Sequence, residues 1–289
     1  MDEHKELLIL AIAAALKAGE AIREIYRRDY AVTTKADNSP LTEADRRSHA
    51  IIVRRLEASG IPILSEEGRE IAFGERSAWE RLWIVDPLDG TKEFIKRNGE
   101  FTVNIALVAA GRTELGVVLA PEKERLYFGG RGLGAFRAAP AATAQLLKKE
   151  RGPSTGRLWK KLCAAGDALP IPSVRPDRYT IVGSRSHATP ELKAFVDAKR
   201  REHGRVDFIS AGSSLKICLV AEGAAHIYPR LGPTMEWDTA AGQGVVEAAG
   251  GRLIDCRSLE PLQYNRADLL NPWFYVLGPA GHVFPNTMS

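Results

Sequence analysis

The order of its periodic segments restricts this chain to a fold of the α/β (α+β) class. Residues 3–29 repeat apolar side chains at three- and four-residue steps, which predicts a long amphipathic helix. Residues 42–58 predict a second helix, with Thr42 as its N-cap. Short, turn-bounded apolar segments then predict an antiparallel meander of strands: Ile61–Leu64, Leu82–Val85, Phe101–Ala109, Thr113–Leu119, Arg125–Phe128 and Ala135–Arg137. The first half therefore combines two helices with an antiparallel sheet.

The second half alternates strands with helices, which favours a mostly parallel α/β sheet. The predicted elements are strand Tyr179–Val182, helix Pro190–Arg201, strand Val206–Ile209, helix Ser213–Glu222, strand Ala225–Tyr228, helix Trp237–Ala249 and short final strands. Between the halves, the Ala-, Lys- and Gly-biased residues 138–160 predict a surface excursion, and the following proline-rich stretch predicts a domain boundary. We place one unit at 1–166 and a second at 178–289, joined by a linker over 167–177.

The composition is that of a globular protein with a sizeable core. The 289 residues are 45% hydrophobic and 26% charged. Basic residues number 40 against 36 acidic ones, and the two signs are interspersed, which argues against a dedicated nucleic-acid binder. A net charge of +4 leaves room for a local positive pocket that attracts an anionic small molecule.

The N-terminus and the cysteines indicate a cytoplasmic protein. The apolar run 7–16 follows Asp2, Glu3 and Glu6, whereas a signal peptide begins with positive charge. Ten apolar residues are also too few to span a bilayer, so we predict no transmembrane segment. Three widely spaced cysteines exclude a disulfide framework and indicate a reducing compartment. Peripheral association with the inner membrane stays open.

The stretch LWIVDPLDGT, residues 82–91, is a buried strand that ends in two carboxylates. Its Asp-Gly pair could form a hairpin turn, but the partner strand would have to resume at once. Regular alternation returns only at Phe101, so the hairpin is disfavoured. Clustered carboxylates repel each other unless a cation lies among them, and Mg²⁺ prefers oxygen ligands.

The residues between the two aspartates suit a site for a metal and a phosphate. Pro87 fixes its own φ and restricts Asp86 to an extended conformation. The turn can then bring the Leu88 carbonyl beside both carboxylates. Gly90 permits close approach of the backbone, and the N–H groups of Gly90 and Thr91 could receive phosphate oxygens. On the residues alone, an ordinary capped turn stays an equal alternative.

Other carboxylates occupy comparable positions. Glu66-Glu67 follow a predicted strand, and Asp238 opens a predicted helix. Each has a simpler interpretation, because Glu66 could lie in a solvated turn and Asp238 could be an N-cap. Asp45, in the second helix, could be an ordinary surface residue.

Two spaced motifs together carry a family resemblance. DPLDGT stands at residues 86–91, and Trp237-Asp238 is followed by eleven residues and then by Gly250-Gly251. The chain resembles the inositol monophosphatase-like superfamily of Mg²⁺-dependent, lithium-sensitive phosphatases along nearly its whole length. The resemblance implies a layered α-β-α-β-α sandwich with the active site between the halves.

Within that superfamily, residues 90–108 and 212–242 resemble the bacterial 3′(2′),5′-bisphosphate nucleotidases of the CysQ type. Those enzymes convert adenosine 3′,5′-bisphosphate to AMP and phosphate, which implies a place in sulfur assimilation. The corresponding phosphosulfate is a further candidate substrate. Lys92-Glu93-Phe94 differ from the GTTNF sequence of simple inositol monophosphatases. An inositol- or sugar-phosphate phosphatase is the first alternative, and a non-catalytic metal-phosphate binding protein is the second.

The resemblance also assigns roles to single residues. Two or three Mg²⁺ ions would be held by Glu66, Asp86, the Leu88 carbonyl, Asp89 and Asp238. Glu66 and Thr91 would orient and deprotonate the attacking water, while Asp45 would support that network or a third metal.

The implied substrate contacts are those of Glu66, Leu88, Asp89, Gly90, Thr91, His187, Ser213, Lys216, Arg230 and Asp238. Among these, Ser213, Lys216 and Arg230 would grip the second phosphate and the nucleoside, and His187 would lie beside the adenosine. Solvated or salt-bridged positions for Lys216 and Arg230, and a structural role for His187, are the alternatives. The sequence leaves open a monomer or a homodimer.

Overall fold

The computed structural model describes residues 2–30, 32–34, 40–149, 155–172, 178–184 and 189–279. The helices are α1 (Asp2–Tyr26), α2 (Glu43–Leu56), α3 (Phe73–Arg76), α4 (Thr91–Ile95), α5 (Pro140–Lys149), α6 (Thr155–Ala164), α7 (Pro190–His203), α8 (Leu215–Ala221) and α9 (Glu236–Ala248), with a short 3₁₀ turn at Glu57–Ser59. The strands of the first half are β1 (Val32–Thr34), β2 (Pro40–Thr42), β3 (Ile63–Ser65), β4 (Arg81–Asp89), β5 (Thr102–Ala109), β6 (Arg112–Ala120), β7 (Arg125–Gly130), β8 (Gly134–Ala138) and β9 (Gly166–Ala168). Those of the second half are β10 (Tyr179–Gly183), β11 (Val206–Ser210), β12 (Ile227–Arg230), β13 (Arg252–Asp255) and β14 (Phe274–Leu277).

The two predicted N-terminal helices are confirmed, and they cover one face of a seven-stranded sheet. α1 buries an apolar stripe that repeats at helical spacing, including Leu8, Ile12 and Ile22. The predicted cap of α2 is also present, because the Thr42 hydroxyl accepts a hydrogen bond from the Ala44 N–H at 3.1 Å. Both helices pack with β4, β5 and β6 in one hydrophobic core.

The predicted antiparallel meander is confirmed for β4 to β8, is extended by the unpredicted strand β9, and is wrong at its first strand. The sheet order is β3-β4-β5-β6-β7-β8-β9, and β3 pairs with β4 in the parallel direction. A parallel pair needs a crossover connection, which here is the segment 66–80 containing α3. Local alternation predicts that a strand exists and does not fix its direction.

The prediction of a surface excursion at 138–160 is wrong for the part that belongs to α6, whereas α5 buries only Thr143 of its residues. Trp159 and Leu162 of α6 are buried in the core beneath α1, and α5 precedes α6 in the same layer. The Trp159 ring lies edge-on to the rings of Phe128 and Phe136, with centroids 6.0 and 5.9 Å away. These few apolar residues recur on one face of a short, otherwise basic helix. The Ala and Lys bias of the whole stretch conceals that apolar face in the sequence.

The second sheet is mixed rather than mostly parallel. Its order is β11-β10-β12-β14-β13, with parallel pairs among the first three strands and antiparallel pairs among the last three. The predicted alternation of strands and helices from residue 179 to 249 is confirmed, with boundaries shifted by up to two residues. The two final strands simply form an antiparallel edge on this sheet.

The layered α-β-α-β-α sandwich is confirmed. Helices α8 and α9 lie between the two sheets in one continuous core, and α7 covers the outer face of the second sheet. Strand β9 pairs with β8 at the start of the predicted linker, whose residues 173–177 lie outside the described ranges. Among the described residues, no helix combines the length and the apolar character needed to cross a bilayer.

Candidate active site

The end of β4 carries the first two carboxylates. Asp86 pairs with Asn104 and Asp89 with Thr102, so β4 contains one more residue than β5 over this interval. Such a bulge re-aims side chains at the end of a strand. The Asp86 carboxylate accepts a hydrogen bond from the Leu88 N–H at 3.0 Å, which closes the turn around the proline.

Helix α2 holds the other side of this turn. The Ser48 hydroxyl donates a hydrogen bond to the Pro87 carbonyl at 2.7 Å. Ser48 is buried, and sequence analysis gave no sign of its role. The bulge is therefore held by its pairing with β5 and by this hydrogen bond from α2.

Glu66 reaches the same point from the adjacent parallel strand. It follows β3 directly, and its N–H donates to the Val85 carbonyl at 3.1 Å. Its side chain lies within hydrogen-bonding range of Asp86 and contributes to the raised pKa of that carboxyl group. The parallel pairing of β3 with β4 is what places Glu66 there.

Asp238 comes from the second half and completes the cluster. It lies in the first turn of α9, where its carboxylate accepts a hydrogen bond from the Met235 N–H at 2.8 Å. Carboxylate oxygens of Asp86, Asp89 and Asp238 all lie within 4.8 Å of one another. The N-cap alternative for Asp238 is wrong, because the N-cap of α9 is Met235 and Asp238 is the third residue of the helix. From that position its carboxylate binds the N-cap N–H and also joins the cluster.

This arrangement is electrostatically unfavourable without a cation. Burial, followed by the charges of Glu66 and Asp89, raises the pKa of Asp86 well above its ordinary value. Burial and the neighbouring Asp89 raise the pKa of Asp238 to about 8. Burial also raises the pKa of Asp89 to about 6, although Lys216 and the Ser214 N–H oppose that rise. Carboxylates kept this close favour a divalent cation with oxygen ligands.

Asp89 is held by residues that sequence analysis missed. Its carboxylate accepts hydrogen bonds from the Ser214 N–H at 2.5 Å and, at 3.5 Å, from Thr102 and Asn104. The Ser214 hydroxyl in turn contacts Thr102 at 2.8 Å and Asn104 at 2.7 Å. Polar residues at 102 and 104, in a strand that is otherwise apolar, were the available signal.

Asp45 is a buried member of the site rather than a surface residue. It is 1% exposed and accepts a hydrogen bond from the Thr91 hydroxyl at 3.1 Å. It also accepts bonds from the Thr42 N–H at 2.7 Å and the Thr42 hydroxyl at 2.5 Å. Burial raises the pKa of Asp45 despite these hydrogen bonds. The Thr91 hydroxyl also lies 3.4 Å from the Leu88 carbonyl.

A cleft extends from the carboxylates toward the second sheet. It is lined by Asp89, Gly90, Glu93, Ser184, Gly212, Ser213, Ser214, Lys216, Ile217, Tyr228, Arg230, Thr234, Asp238, Thr239 and Phe274. The predicted substrate residues Gly90, Ser213, Lys216 and Arg230 thus line the same cleft as Asp89 and Asp238, two of the predicted metal ligands. His187 lies outside the described residues.

Glycine is required at two points of this wall. Gly90 has φ +92°, in the left-handed region, and a Cβ there would lie 3.2 Å from the Glu100 carbonyl oxygen. At Gly212 a Cβ would lie 2.7 Å from the same oxygen and 2.9 Å from the Glu93 side chain. These positions let the loop before α8 approach the β4 turn.

The two predicted cations in the cleft differ in their surroundings. Lys216 is buried and donates to the Ser213 carbonyl at 2.7 Å and the Ala211 carbonyl at 3.3 Å. Burial lowers its pKa to about 8, and the charge of Asp89 opposes that change. Arg230 donates to the Pro233 carbonyl at 2.8 Å, while its buried Nε has no hydrogen-bond partner within the described part of the chain. An anion in the cleft would supply that missing partner.

The chain is similar to known proteins along most of its length. The chain is 44% identical over 270 residues to the 3′(2′),5′-bisphosphate nucleotidase CysQ of Shigella flexneri. The aligned residues cover 91% of this chain and 96% of that protein. The protein of the same name from Escherichia coli K12 is 43% identical with the same coverage. The crystal structure of CysQ from Bacteroides thetaiotaomicron, a bacterial member of the inositol monophosphatase family, superposes with a TM-score of 0.83 at 45% identity, covering 96% of this chain and 98% of that one.

A more distant structure shows the same fold. The inositol monophosphatase from Anabaena has a TM-score of 0.63 at 23% identity, covering 96% of this chain and 93% of that one. The sequence profile of the inositol monophosphatase family matches residues 3–272. Since that match spans most of the sequence and includes every carboxylate of the cluster, the chain belongs to the inositol monophosphatase family.

Proposed function

We propose that this protein is a Mg²⁺-dependent phosphatase that hydrolyses adenosine 3′,5′-bisphosphate to AMP and phosphate. The observation that carries the proposal is the convergence of Asp86, Asp89 and Asp238 at one end of a cleft that also contains Lys216 and Arg230. One end suits cations and the other suits an anion, so a substrate with two phosphate groups complements both. The bisphosphate nucleotidase names of the relatives support the nucleotide.

The residues present fit magnesium. The donors are carboxylate and carbonyl oxygens, which hard divalent cations prefer, and their mutual repulsion is relieved by positive charge. The ligands would be Glu66, Asp86, the Leu88 carbonyl, Asp89 and Asp238, holding two or three ions. When bound, Mg²⁺ acidifies the attacking water and stabilises charge on the phosphoryl group and on the leaving oxygen.

The chain's own contribution to the reaction is to place the water. Thr91 donates its hydroxyl proton to Asp45 at 3.1 Å, so the lone pairs of the Thr91 oxygen stay available to accept from a water. Glu66, which directly follows the neighbouring strand β3, is the base that receives the proton of this water. Asp45 fixes the direction of the Thr91 hydroxyl and thereby the direction of attack.

The remainder of the substrate would lie along the cleft. A bisphosphate carries roughly four negative charges near neutral pH, since each second phosphate pKa is near 6. The phosphate that is cleaved would face the carboxylate cluster and the N–H groups of Gly90 and Thr91. The other phosphate would bind Arg230, whose Nε then gains a partner, with Ser213 and Lys216 alongside. His187 remains the predicted neighbour of the adenosine.

The test is phosphate release from a panel of substrates, with and without Mg²⁺. We expect adenosine 3′,5′-bisphosphate to be preferred over inositol 1-phosphate and over sugar phosphates, with activity lost in EDTA. Assaying the adenosine phosphosulfate in the same panel asks whether it is a second substrate. A clear preference for inositol 1-phosphate would make the substrate assignment wrong. Tight Mg²⁺-dependent nucleotide binding without turnover would instead identify a binding protein.

A further inference from the structure

Buried charged groups surround the first turn of α9, next to Asp238. Glu236 is 0% exposed, and its carboxylate accepts hydrogen bonds from the Asn265 N–H at 2.6 Å and the Arg266 N–H at 3.0 Å. The Arg266 Nε forms an ion pair with the same group at 3.2 Å. Both oxygens of Glu236 are therefore engaged by the loop 265–271, which makes Glu236 a positioning residue rather than a metal ligand.

Arg76 holds this loop from the opposite side. It is 2% exposed, and its guanidinium donates to the Asn265 side-chain oxygen at 3.0 Å and to the carbonyls of Arg266 at 2.6 Å and Ala267 at 3.0 Å. The Asn265 side-chain amide returns a bond to the Arg76 carbonyl at 2.7 Å. Arg76 ends α3, in the crossover that begins at Glu66. The network therefore joins the Glu66 segment to α9.

The loop also binds the main chain on which Asp238 depends. The Glu236 N–H donates to the Leu269 carbonyl at 2.9 Å, and the Asn271 side-chain amide donates to the Met235 carbonyl at 2.7 Å. Met235 is the residue whose N–H binds the Asp238 carboxylate. Hydrogen bonds and the short stretches of main chain between them thus connect Arg76 to Asp238.

The body of α9 is fixed by a different contact. A Cβ at Gly116 of β6 would lie 2.1 Å from the Ala241 carbonyl oxygen, so helix and sheet touch closely one turn beyond Asp238. That contact sets the position of the helix axis, whereas the loop sets the first turn. Because Asp238 is the ligand that the second half supplies, its distance from Asp86 and Asp89 depends on both.

We propose that Arg76, Asn265 and Glu236 form a brace that positions Asp238 against the β4 carboxylates and so sets the metal affinity of the site. The inference rests on the proposed function, since it concerns the same metal ligands. Burying ionic groups is costly, and apolar replacements often stabilise a protein equally well. Positioning a ligand is a task for which hydrogen-bonded charges are suited, because they fix direction as well as distance.

The test is direct titration of the metal-free protein with Mg²⁺ and with Mn²⁺ by calorimetry, together with its melting temperature in EDTA. Glu236→Gln removes the negative charge of the carboxylate and places an amide group opposite the Asn265 and Arg266 N–H groups. Arg76→Lys keeps the positive charge and removes the planar guanidinium group that makes several hydrogen bonds. We expect each variant to weaken metal binding by about 10- to 100-fold, the usual effect of losing a group that orients a ligand.

Glu222→Gln is the matched control. Glu222 is 2% exposed, and it accepts hydrogen bonds from Tyr127 and from Arg137, both at 2.9 Å, so it also joins the two halves. It is the C-cap residue of α8, at the opposite end of the helix from the Ser214 N–H that binds Asp89. We expect this variant to melt at a lower temperature while keeping its metal affinity within about twofold, as independent sites do.

The outcomes separate the two claims. If both brace variants keep the metal affinity of the wild type and only melt at lower temperatures, the network merely stabilises the fold. The proposal that the brace sets metal affinity would then be wrong. Weakened binding in Glu222→Gln as large as in the brace variants would also make it wrong. If Glu236→Gln does not melt cooperatively, Arg76→Lys decides. A wild-type protein that binds no Mg²⁺ at all would instead overturn the proposed function.

Discussion

Replacing Asp238 by asparagine should stabilise the metal-free protein and abolish most of its response to Mg²⁺. The Asp238 carboxylate repels Asp86 and Asp89, which lie within 4.8 Å. Asparagine keeps an oxygen that can accept the Met235 N–H bond and presents an amide to the remaining carboxylates. The substitution therefore removes repulsion without removing the cap of α9.

The size of the effect follows from the pKa of Asp238, which is about 8 in the folded protein against 3.8 ordinarily. Each pKa unit corresponds to about 1.4 kcal/mol, so ionising this group costs the folded state at most on the order of 5 kcal/mol at pH 8. Because the side chain is partly open to solvent, we expect about 2 kcal/mol. For a chain of 289 residues this is about 3 °C in melting temperature.

The size of the stability difference also depends on pH. A carboxyl group whose pKa is raised by folding stabilises the folded protein fully only when the pH is below the pKa that the group has in the unfolded chain. That contribution is lost as the pH rises through the pKa of the group in the folded protein. The advantage of Asp238→Asn in EDTA should therefore grow from pH 4.5 to pH 8. Differential scanning calorimetry over this range, with and without Mg²⁺, checks both expectations.

Asp197→Asn is the control, because Asp197 forms an exposed ion pair with Arg200 at 3.0 Å. It should leave the Mg²⁺ response unchanged. If wild type in EDTA is more stable than Asp238→Asn at pH 8, the cluster is not a site of net repulsion. The electrostatic reasoning would then be wrong.

The remaining predictions concern activity, affinity and packing. Asp89→Asn should lower phosphate release by orders of magnitude, while circular dichroism shows an unchanged fold. Magnesium affinity should rise between pH 6 and pH 8 with release of protons, because Asp89 and Asp238 have pKa values of about 6 and about 8, and calorimetry in buffers of different ionisation enthalpy measures this. Gly212→Ala should destabilise by about 1–3 kcal/mol in urea unfolding, because its Cβ would meet the Glu100 carbonyl at 2.7 Å. Lithium should lower phosphate release at fixed Mg²⁺, and equal rates with sodium and lithium would contradict this.

The local part of the site could be predicted from the sequence. Asp86, the Leu88 carbonyl and Asp89 lie on one bulged turn, and the proline and glycine that shape it are adjacent in the chain. The order of helical and strand patterns predicted the α/β (α+β) class, and the family resemblance implied the five layers. The turn and the fold class could be predicted because each depends on short segments or on their order along the chain.

Contacts between distant segments could not be predicted. The parallel pairing of β3 with β4, which brings Glu66 to Asp86, depends on a strand direction that alternation does not encode. The bond from the Ser214 N–H to Asp89 joins residues 125 positions apart, and main-chain groups leave no compositional trace. The burial of Trp159 was hidden because a basic helix with a narrow apolar face resembles a surface segment.

Each half of the molecule holds a predicted metal ligand of the other half. Asp89 belongs to the first sheet, yet its carboxylate accepts a hydrogen bond at 2.5 Å from the Ser214 N–H, which belongs to the second half. Asp238 belongs to the second half, yet the loop that fixes its turn is bound by Arg76 of the first half. A change in the relative position of the halves would therefore alter the site from both sides at once. Metal affinity should accordingly respond more steeply to inter-half contacts near these residues than global stability does.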